Sequence, residues 1–304
     1  MILVRRLSPM LASIKTLFSS IVDYAGLFPP AKFIMEEAIA NYVRYQNTCH
    51  HWMLGNFVLP VSRLDEFEQL LLKSPIEESK TTHWRLSVII SQEVESAIAK
   101  IQALNDHPKI AIASLEFPPL SLREIDQVFP YLPADIEAFF EIPYSGDFKS
   151  YLTLLQCPGT SAKIRTGGLN AEAFPTISQL YRFIFACAEA QVAFKATAGL
   201  HHPLPGSYPL TYEPDSSNTM MHGFLNVAVL AALVYCQKIT AQEALVVLQE
   251  STIESFQVSA DSIVWKDRRL DISELQKARQ SFFRCFGSCS FQEPIESLQN
   301  LKLL

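Results

Sequence analysis

The sequence has no run of Lys or Arg and no stripe of basic residues interleaved with aromatics. Its 25 Lys and Arg are outnumbered by 31 Asp and Glu, for a net charge of −6. Nucleic-acid binding requires a basic footprint to neutralise phosphates, so that class of partner is excluded. No apolar stretch approaches the ~20 residues that cross a bilayer, which excludes a membrane span. The longest such run, FLNVAVLAALVYC at 224–236, predicts a buried helix. The six cysteines (Cys49, Cys157, Cys187, Cys236, Cys285 and Cys289) are scattered, and the CxxxC of the last two has no second pair. That spacing excludes a dense disulfide scaffold and a zinc site of paired ligands; reduced thiols in a cytoplasmic protein are the expectation. HxH and HExxH are missing, and no GxGxxG follows the first apolar segment. Common histidine metal sites and a dinucleotide-binding fold thereby lose support.

Apolar residues are plentiful. Of the 304 residues 49% are hydrophobic and 18% charged, which permits a large core and argues against disorder. Residues 1–20 mix Arg, Lys and Ser, with no acid before Asp23 and no continuous apolar segment of the secretory kind. An ordinary amphipathic helix is expected there, with a transit-type extension as the alternative.

Short strand-like runs alternate with helical segments along the chain. IVDYAGLFPP (21–30), FVLPVSR (57–63), WRLSVIIS (84–91), KIAIASLEFPP (109–119), DIEAFFEIPY (135–144), AKIRTGG (162–168) and VAFKATAGLHH (192–202) each precede a helical pattern. RCFGSCSF (284–291) supplies an eighth strand. Such alternation calls for parallel strands joined by helical crossovers. The expected fold is α/β: a single (β/α)8 TIM barrel over residues 1–304, with an open doubly wound sheet as the alternative. Two insertions decorate it. Residues 203–222, rich in Pro, Ser and Tyr, predict a loop or lid after strand seven, and 255–271 alternate with period two and predict a β-hairpin before the last helix.

A barrel of this kind places its site at the carboxyl ends of the strands. Those ends carry Asp23, Glu116, Glu141, then Lys163 and Arg165 with Gly167 and Gly168, then Lys195 with Gly199, His201 and His202, and finally Ser288. Asn226 and His222 open the following helix, whose amino end favours an anion. Side chains alternate along a strand, so Ile164 on the helix side puts Lys163 and Arg165 inside the barrel, and Lys195 likewise.

Two lysines sharing one interior need a reason, because lysine is rarely buried unpaired. A lysine beside another cation in a desolvated pocket becomes a nucleophile for carbonyl carbon. Ion pairing to Glu141 and Glu116 is the structural alternative, and joint binding of an anion with Arg165 is a third.

The pattern in SAKIRTGG (161–168) and VAFKATAGLHHP (192–203) resembles deoxyribose-phosphate aldolase and related class I aldolases. Both have a lysine near the end of strand six and another on strand seven, each leading into a glycine turn. The resemblance implies that Lys163 forms a Schiff base and that Lys195 tunes it. Arg165 stands where that family prefers a small hydroxyl residue, and LHHP is foreign to it.

The expected activity is that of a lyase or isomerase on a small anionic carbonyl compound, a sugar phosphate or keto acid. Lys163, Lys195, Glu141 and His201 would be catalytic. Arg165, Gly167, Gly168, Asp23, Glu116, His202, Asn226 and Ser288 would bind substrate. No cofactor is called for. A divalent metal held by Asp23, Glu116, Glu141 and a histidine is the rival chemistry, and a barrel that only binds or assembles is the non-enzymatic alternative. The apolarity of 224–236 suggests a second copy of the chain as a partner.

Overall fold

The computed structural model describes residues 11–73, 83–91, 93–105, 107–144 and 147–304. Eight parallel strands close into a barrel: β1 (Val22–Tyr24), β2 (Leu54–Pro60), β3 (Trp84–Ile89), β4 (Ile110–Phe117), β5 (Glu137–Glu141), β6 (Thr160–Arg165), β7 (Phe194–Thr197) and, after two insertions, β13 (Phe283–Ser288). The strand order around the barrel is β1-β13-β7-β6-β5-β4-β3-β2, so the first and last strands lie side by side, Asp23 opposite Gly287. All eight expected strands are present, and the chain is a (β/α)8 barrel.

The crossovers and additional helices are α1 (Ala12–Phe18), α2 (Met35–Gln46), α3 (Leu64–Lys73), α4 (Val94–Asn105), α5 (Leu122–Val128), α6 (Phe148–Leu154), α7 (Ile177–Glu189), α8 (Phe224–Tyr235), α9 (Ala241–Gln249), α10 (Ile272–Ser281) and α11 (Gln292–Asn300). Their starts are written locally. Ser121 with Glu124, Thr176 with Gln179, Thr240 with Glu243 and Asp271 with Glu274 each form a capping box, satisfying amide hydrogens that a helix start leaves orphaned. The helix expected within residues 1–20 is α1, while residues 1–10 lie outside the described part.

Both insertions are more structured than their sequence suggests. Residues 203–222 are not an open loop: they carry an antiparallel pair, β8 (Gly206–Pro209) and β9 (Asn218–Met221). Tyr208 on this hairpin stacks on His202, with ring centroids 3.6 Å apart. Residues 255–271 are a three-stranded sheet and not a two-stranded hairpin: β10 (Phe256–Val258), β11 (Ser262–Trp265) and β12 (Arg268–Asp271). The third strand forms because Arg268–Asp271 doubles back on β11, burying Leu270 and delivering Asp271 to cap α10.

Helix α8 is buried from Phe224 through Val234 and packs against α7, α9, α10, β12 and β13. Each large apolar side chain so covered contributes ~1.5–3 kcal/mol. The apolar outer face that suggested a second copy of the chain is therefore occupied by the chain itself. Among the described residues no helix is long and apolar enough to cross a membrane.

Candidate active site

The barrel interior departs from the bulky apolar layers usual for this architecture. Lys195 Nζ lies 2.6 Å from Asp23 Oδ2 and 2.6 Å from Glu116 Oε1. β7 and β4 are three strands apart in the barrel order, so this contact can only cross the interior. Lys163 Nζ lies 3.2 Å from Glu116 Oε2 and 3.4 Å from Glu141 Oε2. Glu116 thus takes one ammonium on each oxygen. Arg165 Nε, at the mouth, is 3.2 Å from Glu141 Oε1. Three carboxylates and three cations form one connected, charge-matched chain across the barrel.

The local sequence accounts for how each member is held. Lys163 and Lys195 are register partners on adjacent strands, so equal parity points both inward. Ser114 Oγ donates to Ser87 Oγ and Ser87 Oγ donates to Glu116 Oε1, each at 2.7 Å, which fixes the Glu116 carboxylate. Asp23 Oδ1 accepts from the Asn56 backbone N–H at 2.8 Å, and its Oδ2 accepts from the Cys285 thiol at 3.0 Å. Gly55 leaves room for this carboxylate, because a Cβ there would lie 2.4 Å from Asp23 Oδ1.

Burial alone would raise the Glu116 carboxyl. The ammoniums of Lys195 and Lys163, with hydrogen bonds from Lys195 and Ser87, outweigh it and hold the group at about 2. Burial likewise works against the Lys195 ammonium, yet the negative charges around it, Asp23 foremost, hold it well above the ordinary lysine value. Lys195 is a permanent cation at neutral pH.

Above this layer a cavity of about 620 Å³ opens at the carboxyl end of the barrel. Lys163, Glu116, Glu141 and Arg165 reach it, whereas Lys195 and Asp23 are sealed beneath. The two lysines are therefore unequal: one faces the cavity and the other supports it from below.

His201 and His202 also line the cavity. His201 Nδ1 is 2.9 Å from Glu293 Oε2, and Tyr212 of the hairpin donates its hydroxyl to the same oxygen at 3.2 Å. Burial would raise the Glu293 carboxyl, but these hydrogen bonds and the neighbouring histidines keep it below the ordinary carboxylate range. His202, stacked on Tyr208, is lowered by burial and by His201. Ser288 is buried, with Oγ 3.4 Å from His201 Nδ1.

Gly168 lines the cavity, while Gly167 packs backbone to backbone on Gly199. Gly199 has φ +76°, and a Cβ there would lie 2.5 Å from the Thr166 carbonyl oxygen. Gly199→Ala is expected to destabilise the protein by ~1–3 kcal/mol, read by denaturant unfolding. A stability equal to wild type would show that this crossing of the β6 and β7 loops is not constrained.

Asn226 stands apart from the other expected site residues. It is fully buried and donates Nδ2 to the Val247 and Glu250 carbonyls, tying α8 to the end of α9, and it does not line the cavity. The α8 amino end does not face the cavity as an open anion site, because the Phe224 and Leu225 amides already donate to the His202 and Pro203 carbonyls. Ser87, Glu293 and Tyr212 are among the residues the site adds to the expected set. Ser87 had a signal: it interrupts an apolar run on β3 at inward parity. Tyr212 had none, since its place depends on the hairpin folding back over the mouth.

Among the described residues no group of three or more His, Cys, Asp and Glu side chains is arranged to hold a metal ion. Asp23, Glu116 and Glu141 present their oxygens to ammonium and guanidinium groups, and His201 faces Glu293.

Fold and site together define a (β/α)8 barrel with a charge-matched lysine–carboxylate floor and a cavity at the carboxyl ends of its strands. No family model matches the chain, and comparison with curated proteins and with solved structures finds no relative.

Proposed function

We propose that the protein is a lyase or isomerase acting on a carbonyl compound that bears an anionic group, with Lys163 as the nucleophile. The inequality of the two lysines carries this reading: Lys163 reaches the cavity, and Lys195 lies beneath it as a fixed cation. Attack needs the Lys163 lone pair, so its extra proton passes to Glu141, 3.4 Å away. The C–N bond forms, the carbonyl oxygen leaves as water after taking up protons, and a protonated imine remains. That imine draws electrons from the adjacent C–C or C–H bond.

Lys195 keeps Glu116 ionised throughout, and Glu116 stabilises the positive imine nitrogen. His201, oriented through Nδ1 by Glu293, is the proton carrier for the far side of the substrate. Arg165, its side chain half exposed at the mouth, holds the anionic group. The six unpaired cysteines favour a reducing compartment, the cytoplasm.

Borohydride reduction in the presence of 2-oxo acids, aldehydes and sugar phosphates, followed by peptide mass spectrometry, tests this directly. A stable adduct on Lys163 is expected, absent in Lys163→Ala and in the charge-conserving Lys163→Arg. No adduct from any member of the panel, or an adduct confined to surface lysines, would end the Schiff-base reading.

A further inference from the structure

The cavity is not polar throughout. Much of its wall comes from loops beyond the strand ends and is apolar (Phe28 and Pro30 after β1, Pro118 after β4, Leu169 and Phe174 after β6, and Leu210 on the hairpin), while His201, His202, Tyr212 and Glu293 add polar groups. A sugar phosphate carries polar groups along its whole length and would leave those facing the apolar walls without partners. Buried polar groups without partners are unfavourable. The size points the same way. At about 620 Å³ the cavity falls within the ~300–1,000 Å³ of sites that enclose drug-sized ligands.

The rim is also apolar in part. Leu169 is 48% exposed and Tyr212 55% exposed, and both line the cavity. Large apolar side chains gathered around a cavity mouth are a mark of a ligand site.

We infer that the ligand is amphipathic: a carbonyl acid whose polar head meets Lys163 and Arg165 and whose alkyl or aryl body lies along the Phe28, Pro118, Leu169 and Leu210 walls. This rests on the lysine chemistry proposed above for the placement of the head, and it separates keto acids with an apolar body from sugar phosphates as the substrate class. Lys163 and Arg165 offer charge to one part of a ligand, and Phe28, Pro118, Leu169 and Leu210 offer hydrocarbon to another. A ligand matching both is held in one orientation, with its carbonyl toward Lys163.

The test is a homologous series of straight-chain 2-oxo acids from three to ten carbons, with a pentose phosphate alongside. Binding is measured by calorimetry and adduct formation by borohydride trapping. Kd is expected to fall about fourfold for each added methylene that becomes buried. The ten-carbon acid should bind far more tightly than the pentose phosphate. Leu169→Asp, at a half-exposed position whose change spares the fold, should weaken the ten-carbon acid at least tenfold while weakening the three-carbon acid much less. Affinity independent of chain length, or a pentose phosphate binding more tightly than the ten-carbon acid, would overturn the inference. The two readings fail separately. A chain-length dependence without any lysine adduct sinks the Schiff base alone, and a lysine adduct without chain-length dependence sinks the apolar body alone.

Discussion

Replacing Lys195 by methionine is expected to lower the free energy of unfolding by ~3–5 kcal/mol at neutral pH, because it strands buried carboxylates. The Lys195 side chain is 1% exposed and pairs with Asp23 and Glu116 at 2.6 Å each. Without it, Asp23 keeps only the Asn56 amide and the Cys285 thiol, neither of which carries positive charge. The deficit should shrink as pH falls toward 4, where the orphaned carboxyls take up protons and the buried charge disappears. Lys163→Met should be milder, since Glu116 retains Lys195 and Glu141 retains Arg165. Urea unfolding of both variants across pH checks this. A Lys195→Met protein within 1 kcal/mol of wild type at pH 7 would mean that the ion chain does not support the fold. With its folded pKa raised, Lys195 gives its full stabilisation below the unfolded value of about 10.5 and loses it as pH rises through the folded one.

Acid should weaken the protein through Glu116. Its carboxyl is held at about 2 against an ordinary 4.5, a depressed folded value. The associated stability is therefore fully present above pH 4.5 and is lost as pH falls toward 2. A depression of that size corresponds to on the order of 3 kcal/mol. Several exposed acids are also lowered by local hydrogen bonds, so the measurement must isolate Glu116. Glu116→Gln does so: its unfolding free energy should change less between pH 5 and pH 2.5 than the wild-type value does. Parallel pH profiles for the two proteins would refute the assignment.

Much of this molecule is legible in the sequence because its elements are marked by local signals. The strands appear as short apolar runs, and the helices follow them with caps spelled out by pairs such as Thr176 and Gln179. Parity on two strands was enough to turn Lys163 and Lys195 inward, and Ile164 and Phe194 outward. What escaped reading depends on contacts between distant segments. Asn226 looked like the opening of an anion-binding helix, but α9 folds over it and takes its amide. The hairpin at 206–221 lacks a strong strand pattern, and its closure over the mouth relies on Tyr208 meeting His202. Sequence also gave no way to see that Glu116, and not Glu141, joins the two lysines, since that depends on barrel circumference.

The Asp23 carboxylate ties together four strands: it stands on β1 and is held by the Asn56 amide of β2, Lys195 of β7 and Cys285 of β13. Two of these, β1 and β13, flank the line where the first strand meets the last and the cylinder is shut. The floor of the proposed site is thus also the clasp of the barrel. Mutational drift that retunes the charges for another reaction loosens the join between the two ends of the chain, so new chemistry on this scaffold is expected to arise first in the loops that wall the cavity, where sequence can change without opening the cylinder.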